Sequence, residues 1–181
     1  MNNVENILEF CKRESHFTYF NEGEGSHWIG DGKCFLLDTD ESEITPALLV
    51  AVTKLSQKAL QNTVFTKKNL SLLYNLGDDD KQEQSCTMAL FQIEIEHEKF
   101  YIVYAPDGVH LLPSRYFQDI REPFVIYSRK LKKGDGIYFA IKKGMLLRAI
   151  ICDAWNDKIM IHSPGIAKFA QAVKNKGAAD K

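Results

Sequence analysis

The side chains of this 181-residue chain best suited to proton transfer near neutral pH are its five histidines, His16, His27, His97, His110 and His162. They are scattered, with no His-x-x-x-His or His-Glu-x-x-His spacing to hold a metal from one helix face. His97 lies in "IEIEHEK", which reads as a turn open to water. His27, beside Trp28, and His110, inside a strand pattern, are each placed to line a pocket. An enzyme reading would need His27, His110 and an acid to converge in one cleft within hydrogen-bond reach. Cys11, Cys34, Cys86 and Cys152 are far apart and form no Cys-x-x-Cys, so they read as reduced, buried thiols rather than a zinc site. Asp78-Asp79-Asp80 lacks the spaced oxygen ligands of a calcium loop and reads as a solvated acidic loop. No Gly-x-Ser-x-Gly is present, and no carboxylate pair stands out as acid and base. The expectation is a protein without catalytic, cofactor-binding or metal-binding residues.

Two Gly-Asp-Gly segments, 30–32 and 134–136, invite comparison with phosphate-cradling loops. Such loops deliver backbone N–H groups at a helix N-terminus. Here "KCFLLD" and "IYFAIKK" follow, both strand-like, so each Gly-Asp-Gly reads as a hairpin bend.

Charge is more informative than its sum of -1. Between Ile44 and Gly77 there is no acid, yet Lys54, Lys58, Lys67 and Lys68 occur. From Arg129 to Arg148 the chain carries Arg129, Lys130, Lys132, Lys133, Lys142, Lys143 and Arg148 against Asp135 alone. Residues 22–43 hold Glu22, Glu24, Asp31, Asp38, Asp40, Glu41 and Glu43 against Lys33. Segregated surfaces of this kind let a near-neutral protein meet a phosphate backbone on one side. Lys54, Lys58, Lys67, Lys68, Lys130, Lys132 and Lys133 are therefore candidate contacts to duplex DNA. The bland alternative is an ordinary solvated lysine surface. Trp28, Tyr101, Tyr104, Tyr116, Phe117 and Tyr127 fall in strand patterns that favour core packing over base stacking.

The elements that must position these residues follow from periodicity. Val4, Ile7, Leu8 and Cys11 predict an amphipathic helix over 2–13. Thr45-Pro46 with Leu48, Leu49, Val52, Leu55 and Ala59 predicts another over 46–60. Strands are expected at 27–29, 33–37, 63–66, 70–75 and 86–96, and on both sides of Pro106-Asp107-Gly108. A short helix from Ser114 to Ile120 follows, then strands at 123–129, 136–142 and 145–152, the short strand "KIMIH", and a final helix from Ser163-Pro164 to about Asn175. The length fits one domain, 1–181. No apolar run reaches a membrane span, and "MNNVENILEFCKRE" does not read as a signal peptide, so the expected compartment is the cytoplasm.

Asp31-Gly32 with Phe35-Leu36 echoes Asp107-Gly108 with Leu111-Leu112. The echo suggests a pseudo-repeat over 27–96 and 99–152. Each unit would be a hairpin, a helix and three strands. The predicted class is therefore α+β: an antiparallel sheet of two hairpin-helix-β-β-β units with N- and C-terminal helices.

"HWIGDGKCFLLD", "YAPDGVHLLPSRYF" and "IYFAIKKGMLLRAIIC" resemble hairpins of short prophage and mobile-element proteins of Gram-positive bacteria. The repeated unit also resembles the building block of DNA sliding-clamp domains, where lysine-bearing helices line a central hole. That resemblance implies DNA contact through Lys54 and Lys58, with Arg115 and Arg121 on the second helix. One chain of this length supplies about one clamp domain, fewer than a usual clamp subunit contains. The function expected from all this is a non-catalytic accessory protein of a mobile element, DNA-associated and clamp-like. The alternative is a protein-interaction or regulatory module docking a partner at a strand edge or a pocket formed by His27 and Trp28.

Overall fold

The computed structural model of the chain describes residues 3–14, 17–22, 27–38, 51, 64–65, 69–118, 120, 123–153, 165 and 168. They form helix α1 (Asn3–Glu14), ten strands and two short 3-10 turns. The strands are β1 (Thr18–Asn21), β2 (His27–Gly30), β3 (Cys34–Asp38), β4 (Val64–Phe65), β5 (Gln84–Ile95), β6 (Glu98–Ala105), β7 (Gly108–Pro113), β8 (Val125–Lys130), β9 (Ile137–Lys143) and β10 (Leu146–Cys152). The 3-10 turns are η1 (Leu70–Leu72) and η2 (Ser114–Gln118). All the strands join one sheet in the order β4-β1-β2-β3-β10-β9-β8-β5-β6-β7. Every pairing is antiparallel except the parallel pair β1–β4.

The central strands are apolar on both faces because both faces are covered. In β9, Phe139 and Ile141 point into one cluster while Tyr138 and Ala140 point into the other. The first cluster unites Ile7, Phe10 and Cys11 of α1 with Tyr116 and Phe117 of η2 and the sheet residues Ile29, Leu36 and Ile151. The second lies on the opposite face, where Leu70 and Tyr74 pack on Trp28, Phe35, Tyr138 and Ile150. That two-sided burial is why "IYFAIKK" and "LLRAIIC" read as continuous apolar runs rather than alternating ones.

The sheet is strongly curled. Val103 of β6 and Leu112 of β7 share the first cluster with Phe139 of β9. The ring of His110 in β7 meets Phe139 edge-on, with centroids 5.2 Å apart, although β8, β5 and β6 lie between in the strand order. The bend is made by β5. Its Gln84–Cys86 segment pairs with β8, its distal part pairs with β6, and the β6 register shifts between Met88 and Gln92.

This architecture corrects the α+β prediction. The described residues are largely all-β, and the two hairpin-helix-β-β-β units do not occur in them. In the first supposed unit, 70–75 folds into η1 instead of a strand, β4 pairs back onto β1, and β5 inserts between β8 and β6. In the second, the segment after β7 closes as a 3-10 turn whose Tyr116 and Phe117 are core residues. Proline bounds that segment at Pro113 and Pro123, leaving no room for a longer helix. The helix predicted over 46–60, the "KIMIH" strand and the C-terminal helix fall almost wholly outside the described residues. Among the described residues no helix is long and apolar enough to cross a membrane.

Candidate ligand groove

Gly30-Asp31-Gly32 joins β2 to β3, and its carboxylate is the most heavily used on that side of the sheet. Asp31 Oδ1 accepts the backbone N–H groups of Lys33 and Cys34, both at 2.9 Å, which fixes the bend from within. Asp31 Oδ2 accepts the Tyr116 hydroxyl at 2.6 Å, tying the hairpin to η2. Arg115 in turn donates to the Tyr116 oxygen at 2.9 Å and pairs with Glu98. Burial, reinforced by the Asp31 carboxylate, pushes the Tyr116 phenol well above its ordinary range, so it remains a donor. Gly30 is required by close approach: a Cβ there would sit 2.3 Å from the Cys34 carbonyl oxygen. Gly32 is required by its backbone, at φ +94°.

The acidic loop 75–83 is organised by Arg129. Its side chain is fully buried, and all five of its N–H donors are engaged. Nε and one terminal nitrogen donate to Glu83 Oε2 at 3.0 and 2.7 Å. The remaining donors reach the carbonyls of Asn75, Gly77 and Asp78. Lys142 donates to the other Glu83 oxygen at 2.7 Å and lies 4.9 Å from the Tyr127 ring centroid. Asp78 Oδ1 accepts the Leu147 N–H, and Asp80 accepts from the Gln82 N–H and the Asn75 amide. Burial raises the Asp80 carboxyl, but those hydrogen bonds and the charges of Arg129 and Lys142 bring it below its ordinary value. Arg129 and Lys142, counted with the basic surface in the sequence, are thus interior cations that share Glu83 as their ion-pair partner.

The described histidines, His27, His97 and His110, do not converge on one site. His27 Nδ1 lies 2.8 Å from the Tyr19 hydroxyl and stacks on that ring. His110 is a near-buried bridge: Nδ1 lies 2.7 Å from Asp153 Oδ2 and Nε2 lies 3.3 Å from Asp107 Oδ1. Burial lowers its proton affinity, but Asp153 and Asp107 outweigh that and raise it. A histidine with both nitrogens committed to carboxylates is a structural tie between the β6–β7 turn and the end of β10. The nearby Cys86 thiol is pushed up by burial, which keeps it in its unreactive protonated form. Asp107 also lines a polar cleft of about 350 Å3 with Gln82, Gln84, Ser128 and Lys130. Among the described residues no cluster of three metal-ligating side chains occurs.

The expected His27–Trp28 pocket needs correction. Trp28 is 0% exposed in the second core cluster, so it presents no surface to a partner. The β2 register explains this: Trp28 points toward the face covered by Leu70 and Tyr74. Of the lysines, Lys130, Lys132 and Lys133 share the exposed β8–β9 turn, while Lys54, Lys58, Lys67 and Lys68 fall outside the described residues. The three that are described diverge. Lys130 lines the polar cleft, Lys132 Nζ donates to the Ser71 carbonyl at 2.9 Å, and Lys133 lines a second opening.

That second opening is an apolar groove of about 700 Å3, walled by Phe20, Phe35, Leu70, Leu72, Leu73 and Tyr74, with Gly32, Asn69 and Lys133 at its margins. Its volume and aromatic floor match small-ligand sites. η1 forms one wall and is held at several points. Glu22 accepts the backbone N–H groups of Leu70 and Ser71, and the Lys132 N–H donates to the Leu73 carbonyl at 2.9 Å. Tyr74, behind η1, packs edge-on against Tyr138 with centroids 5.1 Å apart, and its hydroxyl lies 3.4 Å from Cys152 Sγ. This fixed frame leaves the Leu72 and Leu73 side chains 57% and 45% exposed beside the aromatic floor. Sequence reasoning missed the groove because "LSLLY" reads as a strand. The available signal was its position in an acid-free stretch.

No family model, curated protein or solved structure matches this chain.

Proposed function

We propose that the protein is a non-catalytic binding module whose ligand site is the groove between η1, the β2–β3 bend and the β8–β9 turn. The observation that carries this reading is the rigid display of two leucines over an aromatic floor. A segment anchored by Glu22 and Lys132 has no folding reason to present Leu72 and Leu73 to water. Exposed apolar surface in a concave site is characteristic of binding. The arrangement also argues against catalysis at His110, since both its ring nitrogens are committed to carboxylates. The test is binding of the solvatochromic dye 1,8-anilinonaphthalene sulfonate to the folded protein. Leu72→Asp with Leu73→Asp should reduce dye fluorescence severalfold while leaving the thermal transition intact, because both side chains are exposed. Unchanged fluorescence would place the apolar surface elsewhere.

Association with duplex DNA is the second reading, favoured by the shared exposure of Lys130, Lys132 and Lys133. It is weakened by the acidic loop, which Arg129 in β8, the strand leading into that turn, holds in place. If it holds, affinity falls steeply with salt, and replacing the three lysines by glutamate removes binding. Absence of binding in low salt excludes it for this surface.

A further inference from the structure

We infer that the groove's ligand is a small apolar anion, an unbranched alkyl carboxylate of medium chain length, with its head group at Lys133. This rests on the groove being a binding site and adds the chemistry of the occupant. Among the described residues lining the groove, Lys133 alone carries a formal charge, and none is acidic. Glu22, the carboxylate that anchors this wall, already accepts the Leu70 and Ser71 N–H groups. Lys132, one residue away, is committed to the Ser71 carbonyl, and Lys133 is the cation that lines the opening among the described residues. The mouth is unobstructed at Gly32, where an added Cβ meets no atom within 4 Å. A chain entering there would lie on Phe20, Phe35 and the two leucines, with its head group at the rim and in reach of water.

The polarity of the site excludes the other simple ligand classes. A cationic amphiphile would bring like charge to Lys133, and no acid is among the described residues lining the groove. A polar anion such as phosphate could meet Lys133 and Asn69 but would leave the apolar wall of Leu70, Leu72 and Leu73 uncovered. A neutral hydrocarbon would fill the floor but leave Lys133 unused. An alkyl carboxylate satisfies both parts.

The deciding experiment is calorimetric titration of the full chain with hexanoate, octanoate and decanoate below their micellar concentrations, and with octan-1-ol and octylammonium. Affinity should rise about fourfold for each added methylene, from the free energy of burying that group. Octanoate should bind more tightly than octan-1-ol, and octylammonium least tightly. Lys133→Glu should weaken octanoate about fivefold, the upper range for an exposed ion pair, and leave octan-1-ol unchanged. Equal binding of octanoate and octan-1-ol, indifferent to Lys133→Glu, would overturn the head-group assignment and keep the groove as an apolar site. Tightest binding of octylammonium would also overturn the assignment. Absence of binding by all five compounds would overturn the assignment and the groove reading together.

Discussion

At the scale of single residues, the polar side chains that look available in the sequence are mostly committed in the fold. Asp31, Glu83, Arg129, Lys142 and His110 each join segments far apart in the chain. Only three-dimensional proximity reveals this. The spacing between Asp31 and Tyr116, or between Glu83 and Arg129, carries no local signal. His110 shows the energetic consequence. Its pKa lies above the ordinary 6.5 because Asp153 and Asp107 outweigh burial. A raised histidine pKa contributes stability that is full below the unfolded value and lost as pH rises through the folded one. Urea titrations of the wild type and His110→Gln should therefore differ most below about pH 6.5 and converge at higher pH. A difference that grows with pH would contradict the assignment of His110 as a charged tie.

At the scale of elements, the strands were legible and their partners were not. β2, β3, β6, β7, β8, β9 and β10 lie close to the apolar runs and turn residues that announce them, and α1 lies close to its 3.6-residue stripe. The turn at Glu96-His97 adopts positive φ at both residues, as expected of the polar break in "IEIEHEK". Strand order is a long-range property. Nothing local says that β5 inserts between β8 and β6, or that β3 pairs with β10. The hairpin echo was therefore mistaken for a repeated unit, and the "LSLLY" run for a strand. Asp78 and Asp79 are exposed, as expected of a solvated acidic loop, but nothing local announces the loop's organiser, since Arg129 lies 46 positions from Glu83. Arg129→Met should cost about 3–5 kcal/mol of stability, since it leaves the Glu83 carboxylate short of a partner and three loop carbonyls without their donors. Chemical denaturation measures this. A loss no larger than that of a surface substitution, about 0.5 kcal/mol, would show that the loop holds itself.

At the scale of the whole molecule, the curled sheet buries one face under α1 and η2 and the other under η1. Among the described residues η1 is the shorter cover, and the groove opens beside it, where Lys132 of the β8–β9 turn is tied to Ser71 and Leu73. Among the described residues one 3-10 turn lies on this broad face, and apolar floor remains beside it, where the groove lies. The basic character inferred from the sequence is correspondingly smaller on the surface, because Arg129 and Lys142 are interior. Among the described residues lining the groove, the positive charge is local to Lys133.

The central claim, that this groove is the binding site, is tested most directly by mapping amide chemical shifts of the isotope-labelled full chain during titration with octan-1-ol. This neutral probe reports on the apolar floor without depending on the head group. The account predicts saturable shifts confined to Gly32, Phe35, Asn69 to Tyr74 and Lys133. Saturable shifts centred instead on the Asp107–Lys130 cleft, or no saturable shifts at all, would contradict it.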